Sequence, residues 1–315
     1  MKKQLSFFVI SVCVGILALT STSCKKDTPA PTVRLLAQVS GHTVTLTYES
    51  TDATTYAWDY GDGKTSTVST LSHTHTYDFS GTYTVKITAT GGGGTIDASQ
   101  TVTIDPIPSE ILAGTPATHP NGKTWVLDPK YYSGKNGAGP IIPGLPITLD
   151  FLVDNILQVQ LGLGVEYDNE FTFKYDGKLT INNKNGVSLG SQMYAGVVLG
   201  TGPNPSYPGG MGICGMNYTP AASGTWQLKK ETLTMPVVVE DPNNLAGGYS
   251  EATYTQANQT FLVPTDYIGF LDITKIVIVK EITSNYMHLV FLMHGVVQVP
   301  MKPSTALHIT MKPKV

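Results

Sequence analysis

The chain is short of the residues that cross-link, carry charge or bind metal. Only three of its 315 residues are cysteine, Cys13, Cys24 and Cys214. Removal of an N-terminal leader and use of Cys24 elsewhere would leave Cys214 alone, which excludes an intramolecular disulfide and leaves stability to core packing. Cys214 has no His or Asp in its Gly212–Met216 setting, so a buried inert thiol is expected in place of a nucleophile. Charged residues make up 14% of the chain, with no basic patch to hold phosphates, and nucleic acid is excluded as a partner. His73 and His75 stand two apart but have no third ligand at a fitting spacing, so neither a metal nor a cofactor is expected. The 32 glycines, 20 prolines and 16 tyrosines instead indicate strands, turns and hydrogen-bonding aromatic surface.

The N-terminus is the most specific segment. Lys2 and Lys3 precede an apolar run from Leu5 to Leu19 that is too short to span a bilayer comfortably, and small residues then stop at Cys24. Ser21-Thr22-Ser23-Cys24 resembles the lipobox of bacterial lipoproteins, with Ser21 where Leu is usual. The resemblance implies cleavage after residue 23 and lipidation of Cys24. Loss of residues 1–23 takes away two lysines and no acid, moving the net charge from −3 to −5. Residues 24–32 are polar and proline-containing, the composition of a solvated spacer. Such a tail resembles those of surface lipoproteins in Gram-negative polysaccharide-utilisation systems, which implies an outer-membrane location facing the exterior and a glycan-uptake complex as partner.

Residues 33–105 alternate as short strands. Val44, Leu46 and Tyr48 interleave with threonines, and Tyr83, Val85 and Ile87 repeat the pattern. Between them Trp58-Asp59-Tyr60-Gly61-Asp62-Gly63 sets an aromatic strand against a glycine turn. With His75-Thr76-Tyr77 and Gly81-Thr82-Tyr83, this set resembles a PKD domain, an immunoglobulin-like sandwich, with Tyr60 in place of the usual Phe. The resemblance implies a core role for Trp58 and a spacer or presentation role for the domain. Asp59 and Asp62 are expected to bond their own backbone, with calcium the alternative, and Gly91–Gly94 to form a flexible hairpin tip.

A linker over 106–114 leads to residues 115–315, where the strand signal continues without a convincing helix. Strand starts at Trp125 and Trp226, a hairpin around Asp176-Gly177, and late strands over 276–279, 286–293 and 307–311 predict an all-β second domain, a β-sandwich or jelly roll. The Gly-x-Trp starts and closing amphipathic strand are also similar to lipocalin-like barrels, which imply an apolar ligand. The same order of motifs resembles C-terminal domains of PKD-bearing lipoproteins that capture glycans.

Two loops, 131–137 and 194–218, mix aromatics with Gly, Pro and Asn, a combination that suits sugars. Tyr131, Tyr132, Tyr194, Tyr207 and Tyr218 are therefore the candidate ligand-binding residues for a polysaccharide or oligosaccharide. Glu166, Asp168 and Glu170 alternate as they would on one strand face, and resemble the Glu-x-Asp-x-Glu signature of family 16 glycosidases. That pattern implies retaining hydrolysis by Glu166 and Glu170, but positions i and i+4 of a flat strand lie too far apart for it. The expectation is a non-catalytic glycan-binding lipoprotein, with glycosidase, lipocalin-like carrier and structural or adhesive protein as alternatives.

Overall fold

The structure is a computed structural model that describes residues 28–240, 248–295 and 302–315. The leader, Cys24 and the first residues of the spacer lie outside the described residues. The chain divides into two compact units. One contains 44–75 and 83–102 with the chain up to Gln38, and the other contains 39–43, 76–82 and 103–315.

The first unit is built from β1 (Thr32–Ser40), β2 (Thr43–Thr51), β3 (Thr55–Asp59), β4 (Thr65–Ser66), β5 (Ser72–Thr76), β6 (Gly81–Gly91) and β7 (Gly94–Ile104). They form a three-stranded sheet, β1-β2-β5, and a four-stranded sheet, β4-β3-β6-β7. Strand alternation turns Val44, Leu46, Tyr48, Trp58, Val85, Ile87 and Ala89 inward, all nearly inaccessible to solvent. Trp58 is core, as its family resemblance implied, and its indole N–H donates to the Val68 carbonyl at 3.0 Å. Asp59 and Asp62 accept from the backbone N–H of Gly61 and Lys64, at 2.9 and 3.0 Å. The glycine tip does more than turn the chain. A Cβ on Gly93 would stand 2.2 Å from the Pro29 carbonyl oxygen, so the tip admits close passage of the end of the spacer.

The second unit adds α1 (Pro108–Ala113), β8 (Lys123–Leu127), β9 (Gly137–Pro140), β10 (Leu149–Asp150), α2 (Ile156–Leu161), β11 (Glu170–Phe173), β12 (Lys178–Asn182), β13 (Val187–Ser191), β14 (Ile213–Asn217), β15 (Gly224–Glu240), β16 (Tyr249–Pro264), β17 (Val277–Ile282), β18 (Met287–Met293) and β19 (Thr305–Pro313). Ten strands share one antiparallel sheet in the order β10-β9-β19-β18-β17-β16-β15-β12-β11-β8. β19 also pairs with β8, through Met311 with Leu127 and Pro313 with Trp125, so eight strands close on themselves as a meander. The all-β expectation and the large sheet of the β-sandwich reading are met, and next-neighbour connection with the β19–β8 pairing adds a feature of the barrel alternative. Two short α-helices, a 3-10 helix (Gly164–Asp168) and a π-helix (Tyr194–Val198) accompany the sheet among the described residues, where the sequence showed no helix convincingly.

Period-two alternation sends Trp125, Phe171, Phe173, Leu179, Trp226, Leu262, Val277, Leu289, Phe291, Leu307 and Met311 into one interior cluster. The indole N–H of Trp125 donates to the Leu112 carbonyl at 2.8 Å and that of Trp226 to the Lys174 carbonyl at 3.1 Å, so both strand-start tryptophans are core. α2, β13 and β14 add Leu157, Leu161, Leu189, Ile213 and Met216 to the same cluster. A second layer lies outside the ring. The β15–β16 hairpin slips register between Glu231 and Leu233, and beyond that bulge Leu233, Met235, Val237 and Tyr254 pack with Ile278, Val290 and Leu292. β18 is consequently buried at all seven positions, which explains its unbroken apolar sequence.

Trp125→Ala should therefore cost about 3–5 kcal/mol, read as a fall in the urea midpoint of the second domain. A change below 1 kcal/mol would contradict its placement between β11 and β19.

Candidate functional site

The acidic run does not lie on a strand. Residues Gly164–Asp168 form a short 3-10 helix and β11 starts at Glu170, so the three carboxylates diverge. Glu166 is 1% exposed, Asp168 faces solvent, and Glu170 is held by Lys184 at 2.8 Å and by Lys314. The expected shared face fails because the turn following Leu163 points Glu166 inward, where it takes an N–H from Asn169 at 2.6 Å. Burial pushes its carboxyl up to about 8, while the two lysines hold that of Glu170 below the usual carboxylate range despite its partial burial. A general acid at position 170 would need the opposite shift. Glu166, Asp168 and Glu170 do not form the arrangement that retaining hydrolysis requires.

The five tyrosines separate into two groups. Tyr194, Tyr207 and Tyr218 pack their rings against the interior cluster at β13 and β14. Tyr218 donates to Asp266 at 3.0 Å, and burial first, then Asp266, pushes its phenol up to about 12. Tyr131 and Tyr132 lie on the excursion between β8 and β9, both of which pair with β19, so the excursion interrupts one side of the ring. Tyr131 donates to Asp150 at 2.8 Å, and Tyr132 donates to Asp128 at 3.0 Å while stacking 5.7 Å from Tyr286. These rings are fixed by neighbours, with Lys130 poised 5.3 Å from the centre of Tyr132. The two loops meet at the small pocket described below, through Asn136 and Ile213, and none of the five tyrosines lines it or the larger groove.

An open groove of about 560 Å³ lies elsewhere in the unit, where β9 and β10 meet the ends of the long hairpin and the start of β19. Its apolar wall includes Ile142, Leu149 and Tyr249, which are 42%, 50% and 39% exposed. Thr148, Ser304 and Thr305 contribute hydroxyls, and Gly139 lies in the floor. Glycine is required there, since a Cβ would meet the Pro146 carbonyl oxygen at 1.9 Å. These groove residues carry no sequence motif and run from Ala138 to Thr305 along the chain, so no local spacing marks them. By contrast, a pocket of about 20 Å³ between Asp128, Asn136, Tyr167 and His308 has room for no more than a water-sized guest.

Other polar clusters are structural. His288 Nε2 meets His308 Nδ1 at 3.0 Å, and burial holds the two imidazoles down at about 3 and about 4. His73 meets the Tyr60 hydroxyl at 3.1 Å and His75 meets Asp62 at 2.8 Å, so the two histidines take different partners. Burial pushes the Cys214 thiol up to about 11, with the Glu166 carboxyl adding to the shift, which removes nucleophilic character at neutral pH. Among the described residues no group of three His, Cys, Asp or Glu is placed to hold a metal, and no helix is long and apolar enough to cross a membrane.

Glu166 makes a pH prediction. Its folded-state carboxyl lies above the ordinary 4.5, so the native state binds the proton more tightly; the stability this contributes is full below 4.5 and is lost as pH rises through about 8. Glu166→Gln should therefore raise thermal stability at pH 9 relative to the parent and do little at pH 4.5. Equal shifts at the two pH values would contradict the buried, protonated carboxyl.

Comparison with known proteins bears on the first unit. Residues 30–105 match the family model described as PKD domain. Among solved structures, the chain is similar to the PKD1 domain of Vibrio anguillarum Epp at 27% identity, over 25% of this chain and 99% of that one, with a TM-score of 0.24. It is also similar to the PKD1 domain of the Vibrio cholerae metalloprotease PrtV at 32% identity, over 24% and 99%, with a TM-score of 0.23. A structure of carbohydrate-binding modules from the β-sandwich superfamily aligns over 91% of this chain and 92% of its own at 11% identity. Its TM-score of 0.25 carries no argument about a ligand. No curated protein matches the chain. The Trp58 core, the self-bonded Asp59 and Asp62 turns and the family match agree: residues 30–105 are a PKD domain.

Proposed function

We propose that this protein is a lipid-anchored, outer-surface glycan-binding protein without catalytic activity, and that the groove of the second domain holds the glycan. The observation that carries this assignment is the lining of the groove. Tyr249, Ile142 and Leu149 offer flat apolar surface, and Thr148, Ser304 and Thr305 offer hydroxyls beside it. A sugar ring has the matching composition, with C–H faces for the apolar surface and hydroxyls for the polar rim. Cys24 would supply the anchor, the PKD domain follows it in the chain as a spacer, and a glycan-uptake complex at the outer membrane is the proposed setting.

The carrier alternative has less support. A lipocalin-like carrier needs an enclosed apolar cavity, whereas the ring interior is occupied by large side chains such as Trp125, Phe171, Phe173, Leu289 and Phe291, each no more than 3% exposed. Hydrolysis is disfavoured by the divergent acids described above.

Affinity gels containing plant, algal and host polysaccharides test the assignment. Retention by at least one is expected, and Tyr249→Ala should weaken it about tenfold, equivalent to about 1.4 kcal/mol. Unchanged retention in Tyr249→Ala with loss in Tyr131→Ala would move the site to the β8–β9 excursion. For the anchor, Cys24→Ala should shift the protein from the membrane fraction to the soluble fraction after export; unchanged membrane partition would contradict lipidation there.

A further inference from the structure

We infer that the groove selects neutral glycans and rejects those bearing carboxylate or sulfate groups, an inference that rests on the glycan assignment above and names the ligand class for that same site. None of the described lining residues is Asp, Glu, Lys, Arg or His. The chain that builds its floor and one wall, positions 136 to 149, has no ionisable side chain at all.

Several charges near these segments have partners among the described residues. Lys280 Nζ donates to the Gly144 carbonyl at 3.2 Å. Lys302 pairs with Glu251, which lies opposite the lining residue Val238 in the β15–β16 register. Asp150, next in sequence to Leu149, accepts the Tyr131 hydroxyl. An anionic polymer would thus lose hydration of its charges on entering the groove and meet no counter-charge among its described lining residues. The net charge of −5 that remains without Lys2 and Lys3 (18 basic minus 23 acidic residues) adds long-range repulsion. A neutral polymer meets neither cost, because its hydroxyls need only hydrogen-bond partners, which Thr148, Ser304 and Thr305 provide.

The same physics fixes the salt dependence. Binding of a neutral ligand to an uncharged groove releases no counterions and should be nearly insensitive to ionic strength, unlike binding through lysines.

The test takes a neutral polysaccharide that the affinity gels retain and compares it with the same polymer after oxidation of its primary alcohols to carboxylates. Both are measured with the whole mature chain in the presence of a chelator, so that no cation bridges the acidic form. The neutral polymer should bind with the same affinity at low and high salt, and the oxidised one at least about tenfold more weakly at low salt. Pro143→Lys, at an exposed turn position beside Ile142 that contributes no group to the groove, should strengthen binding of the oxidised polymer in a salt-sensitive way while leaving the neutral polymer bound. Equal or tighter binding of the oxidised polymer by the parent protein would overturn the selectivity alone. Retention of acidic polysaccharides alone would likewise overturn the selectivity and leave the glycan assignment standing, whereas retention of no polysaccharide at all would overturn both.

Discussion

The pairing of β19 with β8 governs the second domain. Until Met311 meets Leu127 and Pro313 meets Trp125, the meander is an open sheet with two long edges and one side of its interior exposed. Once they meet, the edges are consumed and Trp125, Phe171, Phe173, Trp226 and Phe291 become a single dry cluster. A ring of eight strands has an interior that side chains can fill completely, and here they do. Closure leaves the interior filled, and the chain builds a second apolar layer outside it. The bulge near Leu233 folds the long hairpin over β17 and β18, and the groove forms where its ends meet β9, β10 and β19.

Much of this architecture was legible because alternation is local. Val44-Leu46-Tyr48 and Phe171-Phe173 reveal strands with one buried face, and Asp59, Asp62, Gly61 and Gly63 reveal a turn by chemistry confined to a few residues. The closing pair was not legible, since Trp125 and Pro313 are almost the whole second domain apart and nothing in either segment encodes the other. Glu166-x-Asp168-x-Glu170 shows the converse hazard. Alternating carboxylates suggest a strand face, yet the turn after Leu163 winds the first three of those positions into a 3-10 helix. A pattern five residues long does not distinguish the two states when tertiary burial of one member, Glu166, decides between them.

The aromatic loops illustrate a related limit. Tyr194, Tyr207 and Tyr218 occur in a stretch from 185 to 228 that has no charged residue, which looks equally suited to binding a sugar and to covering a core. In the structure they cover the core, and Tyr249, at the start of an ordinary-looking strand, stands in the groove. Which tyrosine is free depends on what packs against it, and that is a property of the assembled sheet. Ser304 and Thr305 had even less to distinguish them, because hydroxyl residues at a strand start are commonplace. The proposed lipidation of Cys24, by contrast, rests on the sequence alone, in its resemblance to a lipobox.

On the proposed reading, ligand is held on the outer face of a closed, filled ring. Methyl NMR during titration with a retained neutral oligosaccharide tests it directly. Signals of Ile142, Leu149 and Val239 in the groove should shift with added ligand while those of Leu289 and Leu307 in the interior stay fixed. Shifts concentrated at the interior methyls, or silent groove methyls while the oligosaccharide binds, would contradict it.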